Sequence, residues 1–229
     1  MRVDIVSLFP GISQSVLAES IIGRAQKRFI VNIRHINLRE YAADTRLTVD
    51  DCPFGGGAGM LLKPDVIFKC LEDLKDTGSY AALMCPQGRP FNQEIAYKLS
   101  KTEHIILFCG HYEGIDERAR QVLFDDELSL GDFVLTNGVI AAAVMADAVI
   151  RLLPGVLGKD ESSVDESFGR EPLLEYPHFT RPDSFSAMAV PDTLLSGDHG
   201  DVERWRKEQR LIRTAARRPD ILRQYMETR

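Results

Sequence analysis

Short apolar runs alternate with helical patterns over the first 155 residues of this 229-residue chain, and no other feature constrains the fold as strongly. The strand-like runs are residues 3–9, 30–36, 80–85 and 104–109. Each run is followed by a helix or a long loop, which predicts parallel strands joined by crossover helices. Residues 105–108 are continuously apolar, as expected of a strand that is buried on both faces. The pattern alone therefore predicts an unknotted, doubly wound α/β sheet.

Three helices are predicted in the same part of the chain. The first two begin beside prolines, which are favoured in the first helical turn because proline lacks an N–H donor. The third is rich in alanine and ends before a Pro-Gly pair. These helices span residues 65–74, 91–99 and 139–153.

The last part of the chain has a different composition. Periodicity is lost from about residue 157 to residue 185, which predicts a linker, and residues 201–217 form a basic amphipathic pattern with Val202, Trp205 and Ile212 on one side. Residues 201–229 contain nine Lys or Arg against five acids, while the whole chain has a net charge of −6. This asymmetry is compatible with a polyanion-binding segment or with a solvated helix face.

The cysteines and histidines give no sign of a metal site or of a disulfide framework, because the cysteines are far apart and form no C-x-x-C pair. No apolar run reaches the 18 or so residues that a membrane span requires. The amino terminus leads directly into a strand pattern instead of a signal peptide. We therefore expect a cytoplasmic protein without a bound metal and without membrane contact.

Four stretches rich in glycine or proline follow strand-like runs, the position at which open α/β sheets bind ligands. They are residues 50–60, 85–88, 109–118 and 130–138. The glycine run at 55–59 matches neither G-x-x-x-x-G-K-[ST] nor G-x-G-x-x-G, so it does not indicate a nucleoside triphosphate site. It either lets the backbone approach a flat ligand closely or forms a flexible surface loop. Together the four stretches predict one pocket at the carboxyl edge of the sheet.

Eight blocks of sequence occur in order along the chain. They are Ser7-Leu8-Phe9-Pro10, residues 50–60, Pro86-Gln87-Gly88, Tyr112-Glu113-Gly114-Ile115-Asp116-Glu117-Arg118, Gly131-Asp132-Phe133-Val134-Leu135-Thr136, Pro154-Gly155-Val156-Leu157-Gly158, Pro177-His178-Phe179-Thr180-Arg181-Pro182 and Leu195-Ser196-Gly197-Asp198-His199. Through these blocks the chain resembles the bacterial tRNA (guanine-N1) methyltransferases, which belong to the knotted SPOUT superfamily.

The resemblance implies a homodimer whose active sites lie at the subunit interface. Each chain would contain a trefoil-knotted α/β domain at residues 1–158 that holds S-adenosylmethionine, a flexible linker at 159–185, and a smaller helical domain at 186–229 that binds tRNA. The implied reaction moves a methyl group from S-adenosylmethionine to N1 of guanosine at tRNA position 37, beside the anticodon. The resemblance leaves open whether Mg²⁺ assists. Strand periodicity would not have shown the knot, because the usual topology rules exclude knots.

The resemblance also implies which residues bind. Asp50 and Glu113 would contact the target guanine, whose N1–H and N2–H donors suit a carboxylate. On the basic helix, Arg213 and Arg217 would hold the tRNA backbone with an affinity that weakens as salt is added. Contacts to S-adenosylmethionine would come from Pro86, Gln87, Gly110, Tyr112, Leu130, Gly131, Asp132, Phe133, Val134, Leu135 and Gly138. Of these, Leu130 and Leu135 are equally compatible with core positions.

Methylation of guanine N1 requires a base, because this nitrogen carries a proton at neutral pH. In the family, an aspartate before Ser-Phe in the linker has this role, and an arginine before Pro-Gly-Val-Leu supports it. The matching positions here are Glu166 and Arg151, and Asp165 is the alternative base. Glutamate is longer by one methylene, and a displacement of about 1 Å can reduce a rate on the order of a hundredfold.

A second departure from the family pattern occurs at residues 137–141, which read Asn-Gly-Val-Ile-Ala where relatives read Gly-Gly-Glu-Leu-Pro. This departure leaves the detailed shape of the cofactor pocket open. Two other functions remain compatible with the sequence. One is a knotted methyltransferase that acts on another RNA atom, such as a ribose 2′-hydroxyl, and the other is a catalytically inactive RNA-binding relative.

Overall fold

The computed structural model describes residues 1–158, 166–169 and 171–227. The chain divides into two compact units, Met1–Gly158 and Lys159–Arg229. None of the helices within the described ranges is both long enough and apolar enough to cross a bilayer.

A five-stranded sheet forms the centre of the first unit. The described ranges contain the strands β1 (Arg2–Ser7), β2 (Asn32–Asn37), β3 (Asp50–Asp51), β4 (Leu61–Leu62), β5 (Ser79–Pro90), β6 (His104–Cys109), β7 (Asp126–Ser129), β8 (Ser184–Phe185) and β9 (Met188–Ala189). The sheet has the order β2-β1-β6-β5-β7, and all four neighbouring pairs are parallel. This arrangement confirms the α/β class and the parallel sheet that the alternation predicts.

The helices in the described ranges are α1 (Pro10–Leu17), α2 (Ser20–Lys27), α3 (Pro64–Leu74), α4 (Gln93–Leu99), α5 (Glu117–Leu123), α6 (Val139–Ile150), α7 (Asp192–Leu195), α8 (His199–Arg217) and α9 (Pro219–Glu227). A 3₁₀ turn covers Leu38–Tyr41. Three of these helices, α3, α4 and α6, occur where the sequence predicts them, with ends that differ by up to three residues.

Helices cover both faces of the sheet, so its central strands are enclosed. On one face Ile105 and Leu107 of β6 belong to a core that includes Met145 of α6. On the other face Ile106 and Phe108 pack in a core with helix α3. Successive residues of a strand point to opposite faces, and both faces are apolar here, which explains why β6 is apolar at consecutive positions.

The second unit is organised around α8. Asp198 caps the beginning of this helix by accepting hydrogen bonds from the Gly200 and Asp201 amides. Thr214 is fully buried, and its hydroxyl accepts a hydrogen bond of 2.9 Å from the Leu174 amide. Leu173 itself is 1% exposed. Residues 173 and 174 lie inside the segment predicted to be a linker, and they pack within the second unit.

The predicted apolar side of α8 is only partly inward, since Val202 and Trp205 are half-buried and Ile212 is not. Ile212, which the pattern places with Val202 and Trp205, is 52% exposed. The inward side carries Arg210, which forms an ion pair with Glu171, and Thr214. Residues 171–174 hydrogen-bond to these two positions of α8, so polar contacts set which side of the helix faces inward.

Candidate active site

A cavity of about 320 Å³ lies at the carboxyl ends of β5, β6 and β7. This volume falls within the range of pockets that bind small molecules. Three separate segments supply most of its wall, within residues 83–87, 110–115 and 128–138. The carboxyl ends of adjacent parallel strands lie at the same edge of a sheet, so residues far apart in sequence form one pocket.

The first segment of the wall is a bulge in β5. Met84 and Arg89 both pair with Leu128 of β7, so residues 85–88 leave the ladder and pass along the cavity. A Cβ atom on Gly88 would lie 2.5 Å from main-chain atoms of β7, which is too close for any side chain. The bulge can therefore stay against β7 only with glycine at its end.

The second segment follows β6 and turns sharply. Tyr112 has φ of 55° and Gly114 has φ of 124°, both in the left-handed region. The Glu113 side chain lies against Gly59, where an added Cβ would be 2.3 Å from the Glu113 Cγ. Gly59 therefore contacts the wall of the cavity, whereas the three glycines at residues 55–57 are exposed and an added Cβ there would meet nothing within 4 Å.

The third segment leads from β7 into α6. A Cβ on Gly138 would lie 3.0 Å from the Cys109 Cα, and the Gly138 amide donates to the Gly110 carbonyl over 2.9 Å. The Asn137 side-chain oxygen accepts a hydrogen bond of 3.0 Å from the amide of Val139, the first residue of α6. Asn137, one of the departures from the family pattern, thus satisfies a donor at the beginning of this helix.

His111 borders the cavity and is 4% exposed. Its Nε2 atom accepts a hydrogen bond of 3.1 Å from the Leu8 amide, and its ring meets the Phe9 ring edge-on at 5.6 Å. Burial and the positive charge of Arg39 lower the pKa of His111 to about 4. At neutral pH the ring is therefore uncharged, with Nε2 as the acceptor and the proton on Nδ1. These contacts attach the Ser7-Leu8-Phe9-Pro10 block to the cavity.

Arg120 of α5 also borders the cavity and has a side chain that is 20% exposed. Its guanidinium forms a two-pronged ion pair with Glu127 of β7, which raises the pKa of the arginine. Its Nη1 atom donates to Oε1 of Gln87 over 2.9 Å. Arg120 therefore connects α5, β7 and the bulge of β5.

Most of the residues predicted to bind the cofactor come together at this cavity. Nine of the eleven line it, and the exceptions are Gly131 and Asp132. Gly131 has φ of 148°, so it shapes the turn after β7, while Asp132 is exposed. The residues in the lining are Pro86, Gln87, Gly110, Tyr112, Leu130, Phe133, Val134, Leu135 and Gly138.

The residues predicted to bind the substrate occupy three places. Glu113 lines the cavity. Asp50 is in β3, opposite Leu62, and Leu62 in turn forms a bridge to Ile115 beside the cavity. Arg213 and Arg217 both lie on α8, where Arg213 is half-buried and Arg217 is exposed.

The residues predicted to be catalytic are divided between the two units. Arg151 is half-buried at the carboxyl end of α6, where its amide donates to the Asp147 carbonyl over 3.0 Å. Glu166 belongs to the second unit and is half-buried, and its carbonyl accepts a hydrogen bond from the Gly169 amide. Asp165 lies outside the described residues. The pairing of Arg151 with a catalytic carboxylate stays a prediction.

The family model for tRNA (guanine-1)-methyltransferase TrmD matches residues 1–224 of the chain. The chain belongs to this family. It is 52% identical over 226 residues to the tRNA (guanine-N(1)-)-methyltransferase of Staphylococcus haemolyticus, which covers 98% of this chain and 92% of the relative. Identity to the enzyme of the same name from Geobacillus kaustophilus is 52% over 227 residues, covering 98% and 93%. For Staphylococcus aureus the identity is 49% over 226 residues, covering 98% and 92%. The resemblance carried by the eight blocks is confirmed.

Membership of the TrmD family does not by itself identify every residue at the cavity. His111 and Arg120 also line it, although neither residue is predicted from the family resemblance to bind cofactor or substrate. His111 stands inside the stretch 109–118, whose position after a strand is a usable signal. Arg120 lies beyond the end of its block, and nothing in its neighbourhood indicates a role. Within the described ranges, no group of three or more His, Cys, Asp or Glu residues is placed to hold a metal ion.

Proposed function

We propose that this chain transfers a methyl group from S-adenosylmethionine to N1 of guanosine 37 in tRNA. The observation that carries the proposal is the cavity at the sheet edge, whose wall is built from sequence blocks of the TrmD family. Relatives that match nearly the whole chain are named as tRNA (guanine-N(1)-)-methyltransferases, which supports the same reaction here. The proposal includes a cytoplasmic location, where tRNA is modified.

The cavity suits an adenosine-containing cofactor. Leu130, Val134 and Leu135 supply apolar surface for a flat base, and the main chain at 110–114 and 130–138 supplies polar groups around it. S-adenosylmethionine, when bound, supplies a methyl group on a positively charged sulfur. The residues of the wall would hold that methyl group in line with the attacking nitrogen, and such positioning accounts for much of the catalysis of a displacement.

Carboxylates would recognise and activate the guanine. Asp50 and Glu113 would accept hydrogen bonds from its donor edge, and the contact of Glu113 with Gly59 restricts where that carboxylate can lie. Glu166 would take the N1 proton as N1 bonds to the methyl carbon and the bond from that carbon to sulfur breaks, with Arg151 as the supporting cation. A carboxylate has an ordinary pKa of about 4, so this role requires an environment that raises its pKa.

The proposal extends to the knot, the dimer and the second unit. A trefoil knot in the first unit and a tRNA-binding role for a helical domain at residues 186–229, joined by a linker at 159–185, follow from the family. Assembly as a homodimer is supported by apolar side chains that are exposed at the cavity and on α6. Their exposed fractions are 54% for Phe133, 83% for Val134, 43% for Ile140 and 48% for Val144.

The test is a methyl-transfer assay with labelled S-adenosylmethionine and tRNA transcripts that carry guanosine or adenosine at position 37. We expect label only on the guanosine transcript, at N1 after nucleoside analysis. Label on a ribose oxygen would instead favour a knotted methyltransferase with another target atom. Binding of tRNA with no transfer would favour an inactive relative. Repeating the assay with EDTA tests whether Mg²⁺ assists.

The base is identified by two isosteric substitutions. We expect Glu166→Gln to lower the single-turnover rate on the order of a hundredfold or more, because N1 then keeps its proton at neutral pH. Asp165→Asn should leave the rate close to that of the unaltered protein. The opposite result would assign the base to Asp165.

A further inference from the structure

Arg120 makes more contacts than an ordinary surface arginine at the edge of a cavity. Its Nε donates to Glu127 Oε1 over 2.7 Å, and Nη2 contacts the other oxygen of the same carboxylate. Nη1 donates to Oε1 of Gln87 over 2.9 Å, and Nη2 also lies 3.9 Å from the Cys85 Sγ. The guanidinium therefore has one edge fixed by Glu127 and presents another to the bulge of β5.

The contact with Arg120 determines the orientation of the Gln87 amide. A guanidinium has donors only, so the oxygen of the amide must face it, and the NH₂ group must point away. Gln87 lines the cavity and is otherwise exposed. Without Arg120, the two orientations of the amide would differ little in energy, and the side chain would sample several rotamers in solvent.

We propose that Arg120 is a positioning residue for cofactor binding, which holds Oε1 of Gln87 so that its NH₂ group donates to an acceptor of S-adenosylmethionine. The inference rests on the proposed function, because it takes S-adenosylmethionine as the occupant of the cavity. Arg120 does not itself need to touch the cofactor. It acts by removing the alternative orientations of Gln87 before binding, and such preorganisation increases affinity.

Glu127 explains why the position requires arginine. The planar guanidinium satisfies both oxygens of Glu127 and still has Nη1 for Gln87, whereas a lysine ammonium is a single point charge. Glu127 also lies on β7 beside the point where the bulge rejoins the ladder, at Arg89 opposite Leu128. The ion pair thus fixes the guanidinium relative to the bulge that carries Gln87.

The experiment measures the affinity of the full-length protein for S-adenosylmethionine alone by isothermal titration calorimetry. We expect Gln87→Ala and Arg120→Ala each to weaken binding about three- to tenfold, the range for one hydrogen bond. The double variant should bind about as weakly as Gln87→Ala, because Arg120 acts through Gln87. Arg120→Lys should recover only part of the affinity.

Gln87→Glu gives the sharpest test. It keeps the acceptor for Arg120 and strengthens that contact, but it replaces the NH₂ donor by an acceptor. Affinity for S-adenosylmethionine should therefore fall at least as far as in Gln87→Ala. Arg118→Ala is the matched control, since Arg118 is on the same helix but its side chain is 71% exposed and pairs with Asp116. The affinity of the Arg118→Ala variant for S-adenosylmethionine should equal that of the unaltered protein.

Three results would overturn the inference: unchanged affinity in Gln87→Glu, additive losses in the double variant, or a loss confined to Arg120 variants with lowered melting temperatures. The last would mean that Arg120 only braces α5 against β7. Affinity of each variant for tRNA should stay constant, which a general loss of structure would not allow. If the unaltered protein itself binds no S-adenosylmethionine, the proposed function fails instead, so the two failures are distinguishable.

Discussion

Asp4 is fully buried near the amino end of β1, away from the strand ends that form the cavity. Arg34 donates to it from the neighbouring strand over 2.6 Å, and the His104 ring nitrogen lies 2.9 Å from its other oxygen. Arg2 approaches the same carboxylate at 3.5 Å. Asp4 thus holds together polar side chains from β1, β2 and β6, and its removal would leave them without their shared partner.

Replacing Asp4 by Asn should destabilise the protein by about 2–4 kcal/mol, because cations that face a buried carboxylate lose their compensation. The measurement is the free energy of unfolding in urea. Asp76→Asn serves as the control: Asp76 contacts Arg2 and His104 in the same network, but its side chain is 52% exposed. We expect Asp76→Asn to change the free energy of unfolding only slightly, because exposed ion pairs contribute little. Equal losses in both variants would contradict the importance of burial.

His111 should make the stability of the protein depend on pH. Its pKa is about 4 in the folded chain against an ordinary value of 6.5, so between these values the unfolded chain binds the extra proton. Stability is therefore fully present above pH 6.5 and is lost as the pH falls toward 4. We expect the melting temperature to fall between pH 7 and pH 5, by about 4–7 °C from this group in a protein of this size.

The contribution of His111 can be separated from that of other groups. His35 also has a pKa lowered by burial, so the whole protein will show more acid sensitivity than one histidine explains. His111→Gln places an amide oxygen near the position of Nε2, where it can still accept from the Leu8 amide. The melting temperature of this variant should change less between pH 7 and pH 5. If the melting temperature of His111→Gln fell between pH 7 and pH 5 as much as that of the unaltered protein, His111 would not contribute to the acid sensitivity.

Individual residues differ in how far the sequence identifies their roles. Six of the predicted cofactor residues that line the cavity stand in the eight blocks of the family resemblance, so the sequence identifies them directly. Arg120 was not, since its role depends on Gln87, which is 33 positions earlier, and on the bulge that brings the two together. A local sequence pattern does not extend over 33 positions, so it could not relate the two residues. Asn137 departs from the family pattern, and the sequence does not predict that its side chain accepts a hydrogen bond from the first residue of α6.

At the level of elements, the hairpin of β8 and β9 carries an unfavourable turn. Phe185 pairs with Met188, and the two residues between them, Ser186 and Ala187, have φ of 51° and 61°. Two positive φ values describe a type I′ turn, for which Asn-Gly is the preferred sequence. Residues with a Cβ atom pay a steric cost of roughly 1–2 kcal/mol in this region.

Ser186→Asn combined with Ala187→Gly should therefore stabilise the hairpin by about 0.5–1 kcal/mol. The change would be read from hydrogen exchange at the Val190 amide, which donates to the Asp183 carbonyl beside the hairpin. Ala187→Val is the opposing control, because a β-branched residue is strongly disfavoured at positive φ. If the valine variant exchanged as slowly as the Asn-Gly variant, the turn would not limit stability.

The elements that the sequence predicted share strong apolar patterns. Strand β6 has the predicted limits, and all six of its residues are buried. Strand β7 was missed because it has four residues and begins with two acids, Asp126 and Glu127. The four-residue bulge in β5 was also unpredictable, since it arises from pairing with β7, and Tyr80 to Cys85 read as an ordinary strand that ended before it. Strand β7 and the bulge in β5 therefore depend on pairing between distant segments, which local periodicity does not predict.

For the whole molecule, we expect substitutions in the second unit to affect tRNA binding without affecting the binding of S-adenosylmethionine by the first unit. Changing Arg213 and Arg217 to Glu should weaken tRNA binding about tenfold or more at low salt and reduce the salt dependence, because backbone contacts release counterions. Affinity for S-adenosylmethionine should be unchanged, since both arginines belong to the second unit. Gel-shift titration and calorimetry measure the two affinities.

The control for this experiment reverses the same amount of charge elsewhere. Lys98→Glu with Lys101→Glu alters α4 and the turn after it, in the first unit, and gives the same net charge. We expect a smaller effect on tRNA binding. If both double variants weakened tRNA binding equally, only the overall charge would matter, and α8 would not be a specific contact surface.

The position of β6 in the middle of the sheet affects how the chain is made. Its two neighbours, β1 and β5, are both synthesised earlier, and β1 ends at Ser7 while β6 begins at His104. A ribosome that adds roughly 5–20 residues per second needs on the order of 5–20 s to cover that interval. During this time β1 can pair only with β2, and β5 has no paired neighbour, because β7 follows β6 in the chain. The nascent sheet therefore remains open until its central strand leaves the ribosome, and that strand joins β5 to the pair formed by β1 and β2.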